Sequence, residues 1–274
     1  MEQRLSARLQ AVADFVSPGA RPADIGTDHG YVPVWLVQTG KTPSALAMDL
    51  REGPLGRARE HIESAGLGDR IETRLSDGLA ALKPGEADSL VIAGMGGLLL
   101  VRILEEGKEK LPGIRELVLQ PQSEISGVRK FLRENAWRIA DEAMVKEGGK
   151  YYAVIRAVPE KGSGSLSSRQ GAEDPACCSS SEKEKAEESQ PFSESAVGWP
   201  GRREMEDAFG PVLLEKKDPV LREWMQRELE IRNQILKNLE SSHSRSGAAR
   251  RRAVLREREM LKLALDETDS GAES

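Results

Sequence analysis

The residues best suited to chemistry are three aspartates, Asp24, Asp49 and Asp77, each standing where an apolar run gives way to a turn. Asp24 opens the stretch Asp24-Ile25-Gly26-Thr27-Asp28-His29-Gly30-Tyr31, between a strand-like segment, Arg21 to Ile25, and the helix-like Val32 to Gln38. Gly26 lets the backbone turn tightly and approach a ligand with no Cβ in the way, and the orphan N–H groups of the helix start face the same space. A carboxylate at the strand end suits a ligand carrying an amine rather than a pyrophosphate, which points away from a dinucleotide and toward S-adenosylmethionine. Asp49 ends the strand-like run from Ser44 and precedes Leu50. It comes roughly 20 to 25 residues on, where an acidic residue at a second strand end binds ribose hydroxyls. In Ser76-Asp77-Gly78, after the strand-like Arg70 to Leu75, a carboxylate can accept the amino group of an adenine. Three acidic strand ends in succession argue against chance. Asp24, Gly26, Thr27, Gly30, Asp49, Leu50, Asp77 and Gly78 are therefore the expected cofactor site.

These positions need a framework that brings strand ends together. Leu5, Leu9, Val12, Ala13 and Val16 recur at helical spacing ahead of the first strand, and Ser17-Pro18-Gly19 is a turn. A helix from Tyr31 carries Pro33 in its first turn, where proline is tolerated, and Gly53-Pro54-Leu55 starts another that runs to Gly66. Ala87 to Ala93 is a fourth strand ending in Gly94-Met95-Gly96-Gly97, a cluster implying close approach of a ligand or simply a tight turn. Glu116 to Leu119 is a fifth strand, ended by Gln120-Pro121, after which Ser123 is the expected cap of a helix reaching Asn135. Trp137 to Val145 and Lys150 to Val158 read as a closing antiparallel pair around Gly148-Gly149. Strands alternating with helices imply a mostly parallel sheet with right-handed crossovers, and ligands bind at the carboxyl ends of such strands. Every candidate named above falls at such an end.

The remainder of the chain differs in kind. Residues 159–198 are dominated by Ser, Glu, Lys and Gly and are expected to be a disordered linker. They hold the only two cysteines, Cys177 and Cys178, which as neighbours suit neither a structural disulfide nor, with nothing nearby, a metal site. From Phe209-Gly210-Pro211-Val212-Leu213-Leu214 the apolar pattern returns. Pro219 to Leu239 and Ala248 to Leu265 then read as two helices joined by a turn, Ser241 to Gly247, and make an antiparallel hairpin, with 266–274 a disordered tail. The domains expected are thus 1–158, the linker, 199–265 and the tail.

The net charge of −5 hides an uneven distribution. Residues 199–265 carry 15 basic and 11 acidic side chains, against 4 and 8 in 159–198, so the acidic excess lies in the linker and tail. Local charge is what attracts phosphates. Arg250, Arg251 and Arg252 at the head of the second helix are either a phosphate-contacting surface or a solvated helix face. No apolar run approaches the roughly 20 residues of a membrane span, and the N-terminus lacks a signal-peptide core. A cytoplasmic monomer without a metal is the expectation.

Asp24-Ile-Gly-Thr-Asp-His-Gly-Tyr31, Gly53-Pro54-Leu55, Gly94-Met-Gly-Gly97, Gln120-Pro121 and Phe209-Gly-Pro211 together resemble the bacterial TrmK family, the S-adenosylmethionine-dependent tRNA (adenine-22-N1)-methyltransferases. The resemblance covers 1–158 closely and 205–265 more loosely, and the linker is where the sequence departs from it. It implies an α/β fold: a class I, Rossmann-like methyltransferase sheet with helices on both faces, followed by a coiled-coil-like helical hairpin. It also implies S-adenosylmethionine as cofactor, tRNA as partner, and 1-methyladenosine as product. The chemistry then asks for in-line alignment of adenine N1 with the methyl group, a group to stabilise the cationic ring or accept the N6 proton, and a slot for a base that has left its stack. Asp28, His29 and Tyr31 are the catalytic candidates. Asp28 could instead cap the following helix, His29 could contact the base or cap a helix, and Tyr31 could stack on the base or pack under the first helix. Gly94, Met95, Gly96 and Gly97 join the cofactor set, and Gln120, Pro121 and Arg250 to Arg252 the RNA set. His61 and His243 have no constellation around them in the sequence. Two other readings remain open: a methyltransferase for another RNA, a protein or a small molecule, and a non-enzymatic module that binds S-adenosylmethionine or tRNA.

Overall fold

In the computed structural model of the chain, residues 4–160, 201–239 and 245–269 are described. The alternating pattern produces, in order, α1 (Ala7–Phe15), β1 (Pro22–Ile25), α2 (Tyr31–Gln38), β2 (Ala45–Asp49), α3 (Glu52–Ser64), β3 (Ile71–Leu75), β4 (Ser89–Met95), α4 (Gly97–Glu106), β5 (Glu116–Pro121), α5 (Ile125–Glu134), β6 (Trp137–Glu147) and β7 (Lys150–Pro159). The C-terminal part adds α6 (Arg202–Phe209), α7 (Pro211–Glu215), α8 (Pro219–Leu239) and α9 (Arg245–Asp269).

The strands form one sheet in the order β3-β2-β1-β4-β5-β7-β6. β1 to β5 are parallel, and β7 runs antiparallel to both of its neighbours. The central strands are buried on both faces, and the alternation of their side chains divides the core in two. Ala23, Ile25, Leu46, Met48, Leu90, Ile92, Leu117 and Leu119 pack with α4 and α5. Val91 and Val118 pack with α1 and α2, and Ala45 and Ala47 with α2 and α3. Ser6 caps α1 by accepting from the Leu9 N–H at 3.4 Å. The strand order reverses between β1 and β4, and that switch point opens a crevice at the carboxyl edge.

The expected cap Ser123 is not the cap of α5. The helix starts one residue later, after Glu124 with φ +47°, and Ser123 gives its carbonyl to the Gly97 N–H at 3.0 Å instead. At the other end, Arg245 to Gly247 belong to α9 rather than to a turn, and Asp266–Asp269 are its last turn rather than tail. The linker beyond Glu160 and the end of the tail lie outside the described residues, as does His243.

The C-terminal helices are clipped to β6 by a buried ion pair. Arg129 on α5 donates from Nε to Glu142 Oε1 on β6 at 2.8 Å, with both side chains almost fully buried. Arg129 Nη1 also donates to the carbonyls of Asp207 and Ala208 at the end of α6. Glu142 Oε2 accepts from the N–H groups of Val212 and Leu213 at the start of α7. The pair thus satisfies orphan groups at two helix ends. Gly210 makes this possible, because it has φ +97° and a Cβ there would sit 2.5 Å from Glu142 Oε2. The Phe209-Gly210-Pro211 sequence is therefore a docking clip. Around it Met144, Met205, Phe209, Leu213, Leu214, Leu221, Met225 and Leu261 close a second core. Among the described residues no helix is long and apolar enough to cross a membrane.

Candidate active site

A cavity of about 610 Å³ lies at the carboxyl ends of β1 to β4 and is lined by Asp24, Gly26, Thr27, Asp28, His29, Tyr31, Asp49, Leu50, Asp77, Gly78, Gly94 and Met95. The three aspartates singled out in the sequence therefore meet in one space. The β1–α2 turn is tied down by backbone bonds from the Gly26 and Thr27 N–H groups to the Met48 carbonyl, at 2.8 and 2.9 Å. Gly26 takes φ +73°, and a Cβ on it would run into the Met95 methyl at 2.1 Å, so this position needs glycine both for its backbone and to let Met95 lie against the turn.

The carboxylates differ in environment. Asp24 is buried, accepts from the Thr27 hydroxyl at 2.7 Å, and has its pKa pushed up to about 6, chiefly by loss of solvent and further by the Asp49 charge, against the Thr27 bond. A buried carboxylate in that state is stabilised by a cation. Asp49 accepts from the Asp28 N–H at 3.2 Å and the Arg51 N–H at 3.0 Å, one on each oxygen. That fixes its plane and leaves lone pairs toward the cavity. Asp77 is exposed at the mouth.

Asp28 does not cap α2. Gly30 occupies the cap position, and the Asp28 carboxylate turns outward to Arg57 Nη2 at 2.7 Å, with His29 Nε2 3.6 Å away. Its φ of +50° is what swings it out. Tyr31 does not pack under α1. It is 40% exposed, stacked on His29 with ring centroids 5.3 Å apart, and edge-on to His61 at the same separation. His61, which lacked a constellation in the sequence, thus joins the site, its Nδ1 lying 2.9 Å from the His29 carbonyl oxygen. Nothing local could have shown this, since α3 brings His61 back from 32 residues away.

The glycine cluster divides by role. β4 bulges at Gly94, whose N–H donates to Gln120 Oε1 at 3.1 Å, and Gly94 and Met95 reach the cavity. Gly96 caps α4. Gly97 and Gly30 serve packing rather than the cavity: a Cβ on Gly97 would meet the Ser123 carbonyl at 2.5 Å, and one on Gly30 would touch Ala58. Gln120 and Pro121 are buried and do not line the cavity. Gln120 instead joins the bulge to Arg8, whose Nη1 donates to the same oxygen at 2.7 Å. Arg8 and Gln122 line the cavity; Arg8 was not legible in the sequence, because α1 shows only an apolar stripe with a polar remainder.

The helical arm leaves the domain from its β6 side. α8 rises along β6, with Lys146 Nζ 2.5 Å from Glu223 and Arg227 Nη1 donating to the Gly149 carbonyl at the hairpin tip. Its remaining turns, from Glu228 to Leu239, carry it roughly 18 Å further, where Leu236 packs on Val254 and Leu255 of α9. Arg250 and Arg252 are exposed there, while Arg251 is half-buried. Arg256 pairs with Glu204 of α6 and Arg258 with its neighbour Glu259, so part of the basic charge is compensated locally.

A seven-stranded sheet with one reversed strand, and a cavity of strand-end carboxylates at its switch point, define a class I methyltransferase domain. The sequence profile of the family described as "Methyltransferase domain" matches residues 5–155. The chain is 43% identical over 156 residues to the tRNA (adenine(22)-N(1))-methyltransferase of Bacillus subtilis, a match spanning 57% of this chain and 66% of that protein. It is similar along nearly its whole length to the crystal structure of the B. subtilis M1A22 tRNA methyltransferase TrmK, with TM-score 0.75, 30% identity, and coverage of 96% and 99%. It is likewise similar to Streptococcus pneumoniae Sp1610 in complex with S-adenosyl-L-methionine, with TM-score 0.72, 29% identity, and coverage of 96% and 100%. The chain belongs to the TrmK family.

Proposed function

We propose that this protein transfers the methyl group of S-adenosylmethionine to N1 of an adenine in tRNA, adenine 22, acting as a cytoplasmic monomer without a metal. The observation that carries the reading is the convergence of Asp24, Asp49 and Asp77 on one cavity at the carboxyl edge of the sheet. The activity named for the B. subtilis relative and the S-adenosyl-L-methionine complex of the S. pneumoniae relative support it.

The residues present fit the cofactor. Asp24, buried and raised to about 6, receives the ammonium of the amino-acid end. Asp49, oriented by two backbone N–H groups, receives the ribose hydroxyls. Asp77 accepts the adenine amino group, and Leu50 and Leu99 give the ring apolar walls. When bound, S-adenosylmethionine supplies an electrophilic methyl group. The protein's own residues then position and discharge the substrate. Tyr31, supported by His29 and His61, offers a face on which the target base stacks. The base presents its N1 lone pair to the methyl, and alignment supplies much of the rate. Methylation leaves the ring cationic. Asp28, held by Arg57 at the mouth, stabilises that charge and stands where the N6 proton departs, with His29 beside it as the alternative acceptor. Arg250 and Arg252 meet the RNA backbone.

The test is methyl transfer from labelled S-adenosylmethionine to unmodified bacterial tRNA, with the product nucleoside identified by mass spectrometry. 1-Methyladenosine, lost when adenine 22 is replaced, is the expected result. Cofactor binding without transfer to any tRNA overturns the reading and leaves the fold.

A further inference from the structure

Apolar side chains left in water are gathered in one place. Among the described residues the exposed large hydrophobics are Tyr31, Leu50, Leu75, Leu98, Leu99 and Ile231, and all but Ile231 lie at the carboxyl edge of the sheet. Such a concentration marks a contact surface rather than the scattered exposure common to soluble proteins. Tyr31, Leu50 and Leu99 line the cavity. Leu98 does not, yet at 72% it is the most exposed of the set. It sits in the first turn of α4, one residue before Leu99 and rotated about 100° from it around the helix. The other outward positions of this helix are Arg102, Glu105 and Glu106, so a leucine there has no packing role.

The backbone beneath Leu98 is held firmly. The Gly97 N–H donates to the Ser123 carbonyl at 3.0 Å, and the Leu100 N–H to the Gly96 carbonyl at 3.0 Å. A Cβ on Gly97 would sit 2.5 Å from the Ser123 carbonyl oxygen and 2.9 Å from that of Glu124, so the helix start is pressed onto the β5–α5 turn. The glycine pair thereby sets a rigid post beside the cavity mouth, with Leu98 at its tip.

We propose that Leu98 is the wedge that enters the RNA stack as the target adenine swings into the cavity. The inference rests on the adenine-methylating reading above. Extruding a base breaks its stacking, and an aliphatic side chain placed in the vacated step replaces the lost apolar contact. Tyr31 is not the wedge, because it lines the cavity and is already held between His29 and His61, where it meets the base after extrusion. Leu98 stands outside the cavity, next to the cavity-lining Leu99 and open to solvent.

The experiment places 2-aminopurine at the target position of the tRNA and follows its fluorescence on binding, with S-adenosylhomocysteine present. Wild-type protein raises the fluorescence. Leu98→Ala binds the cofactor as tightly and fails to raise it, and its kcat/KM on unmodified tRNA falls about tenfold or more. Leu98→Met restores most of both. No rise with wild type, or an equal rise with Leu98→Ala, overturns the wedge even where 1-methyladenosine still forms. Absence of 1-methyladenosine from the wild-type reaction overturns the underlying reading instead.

Discussion

The cofactor cavity and the helical arm are built on opposite principles. In the cavity the two buried carboxylates are fixed by groups close by in the turns: Asp24 by the hydroxyl three residues on, and Asp49 by N–H groups of its own turn and the neighbouring one. On the arm, charge is plentiful but much of it is internally compensated. Arg202 pairs with Glu206 and Glu267, Arg222 with Asp269, and Arg232 with Glu228 and Glu257. A small-molecule site needs a few groups in fixed geometry. An RNA surface needs a net field, which surplus arginines at the distal end can supply. The join between the two regions is neither. It is a buried ion pair set in the apolar core that Met144 shares with the C-terminal helices.

That join yields the largest expected effect. Glu142→Ala leaves the Arg129 charge buried and the first N–H groups of α7 without their acceptor, and is expected to cost about 3–5 kcal/mol of stability in a denaturant titration. A loss below about 1 kcal/mol would mean that apolar packing alone docks the arm. Next is Asp49→Ala, expected to weaken S-adenosylmethionine binding by roughly 10- to 100-fold through loss of charge-assisted hydrogen bonds, while tRNA binding is unchanged. Calorimetry giving unchanged cofactor affinity would remove Asp49 from the ribose role and dissolve the contrast.

The third concerns Asp24. Its folded pKa of about 6 lies above the ordinary 3.8, so folding takes up a proton between those values. The contribution of Asp24 to stability is therefore greatest below about pH 4 and falls as pH rises to about 6. A cationic ligand has the opposite preference. Cofactor affinity is expected to drop by up to about tenfold per unit as pH falls below 6, and Asp24→Asn to bind weakly with that dependence gone. A flat wild-type profile would show that Asp24 meets no cation. The smallest effect belongs to the arm: replacing Arg250 and Arg252 by alanine is expected to lower the salt slope of tRNA binding by about two, with no change at the cavity. An unchanged slope would place the phosphate surface elsewhere.

The cofactor half of the site was legible because its signals are local. Asp24, Asp49 and Asp77 each follow an apolar run by position, and parallel topology puts all such ends on one edge. The mouth was harder. Asp28, a catalytic candidate, could equally be read as a cap because it precedes a helix, and its positive φ, which sequence does not display, goes with a carboxylate turned toward Arg57. Gln120 looked like a substrate contact because it ends a strand, but the Gly94 bulge draws its side chain inward. Tyr31 looked half apolar and could be placed either way until α3 brought His61 against it.

The sequence by itself thus determined the alternation of strands and helices, the three strand-end carboxylates and the existence of a basic C-terminal hairpin, since these follow from periodicity, turn chemistry and composition. Only the tertiary structure decided the Arg129–Glu142 clip, the Arg8–Gln120–Gly94 link, the His29–Tyr31–His61 cluster and the exposure of Leu98. Each of these joins residues distant along the chain or depends on which neighbours are missing, and the energy of such contacts is set by packing across elements rather than by the preference of any one segment.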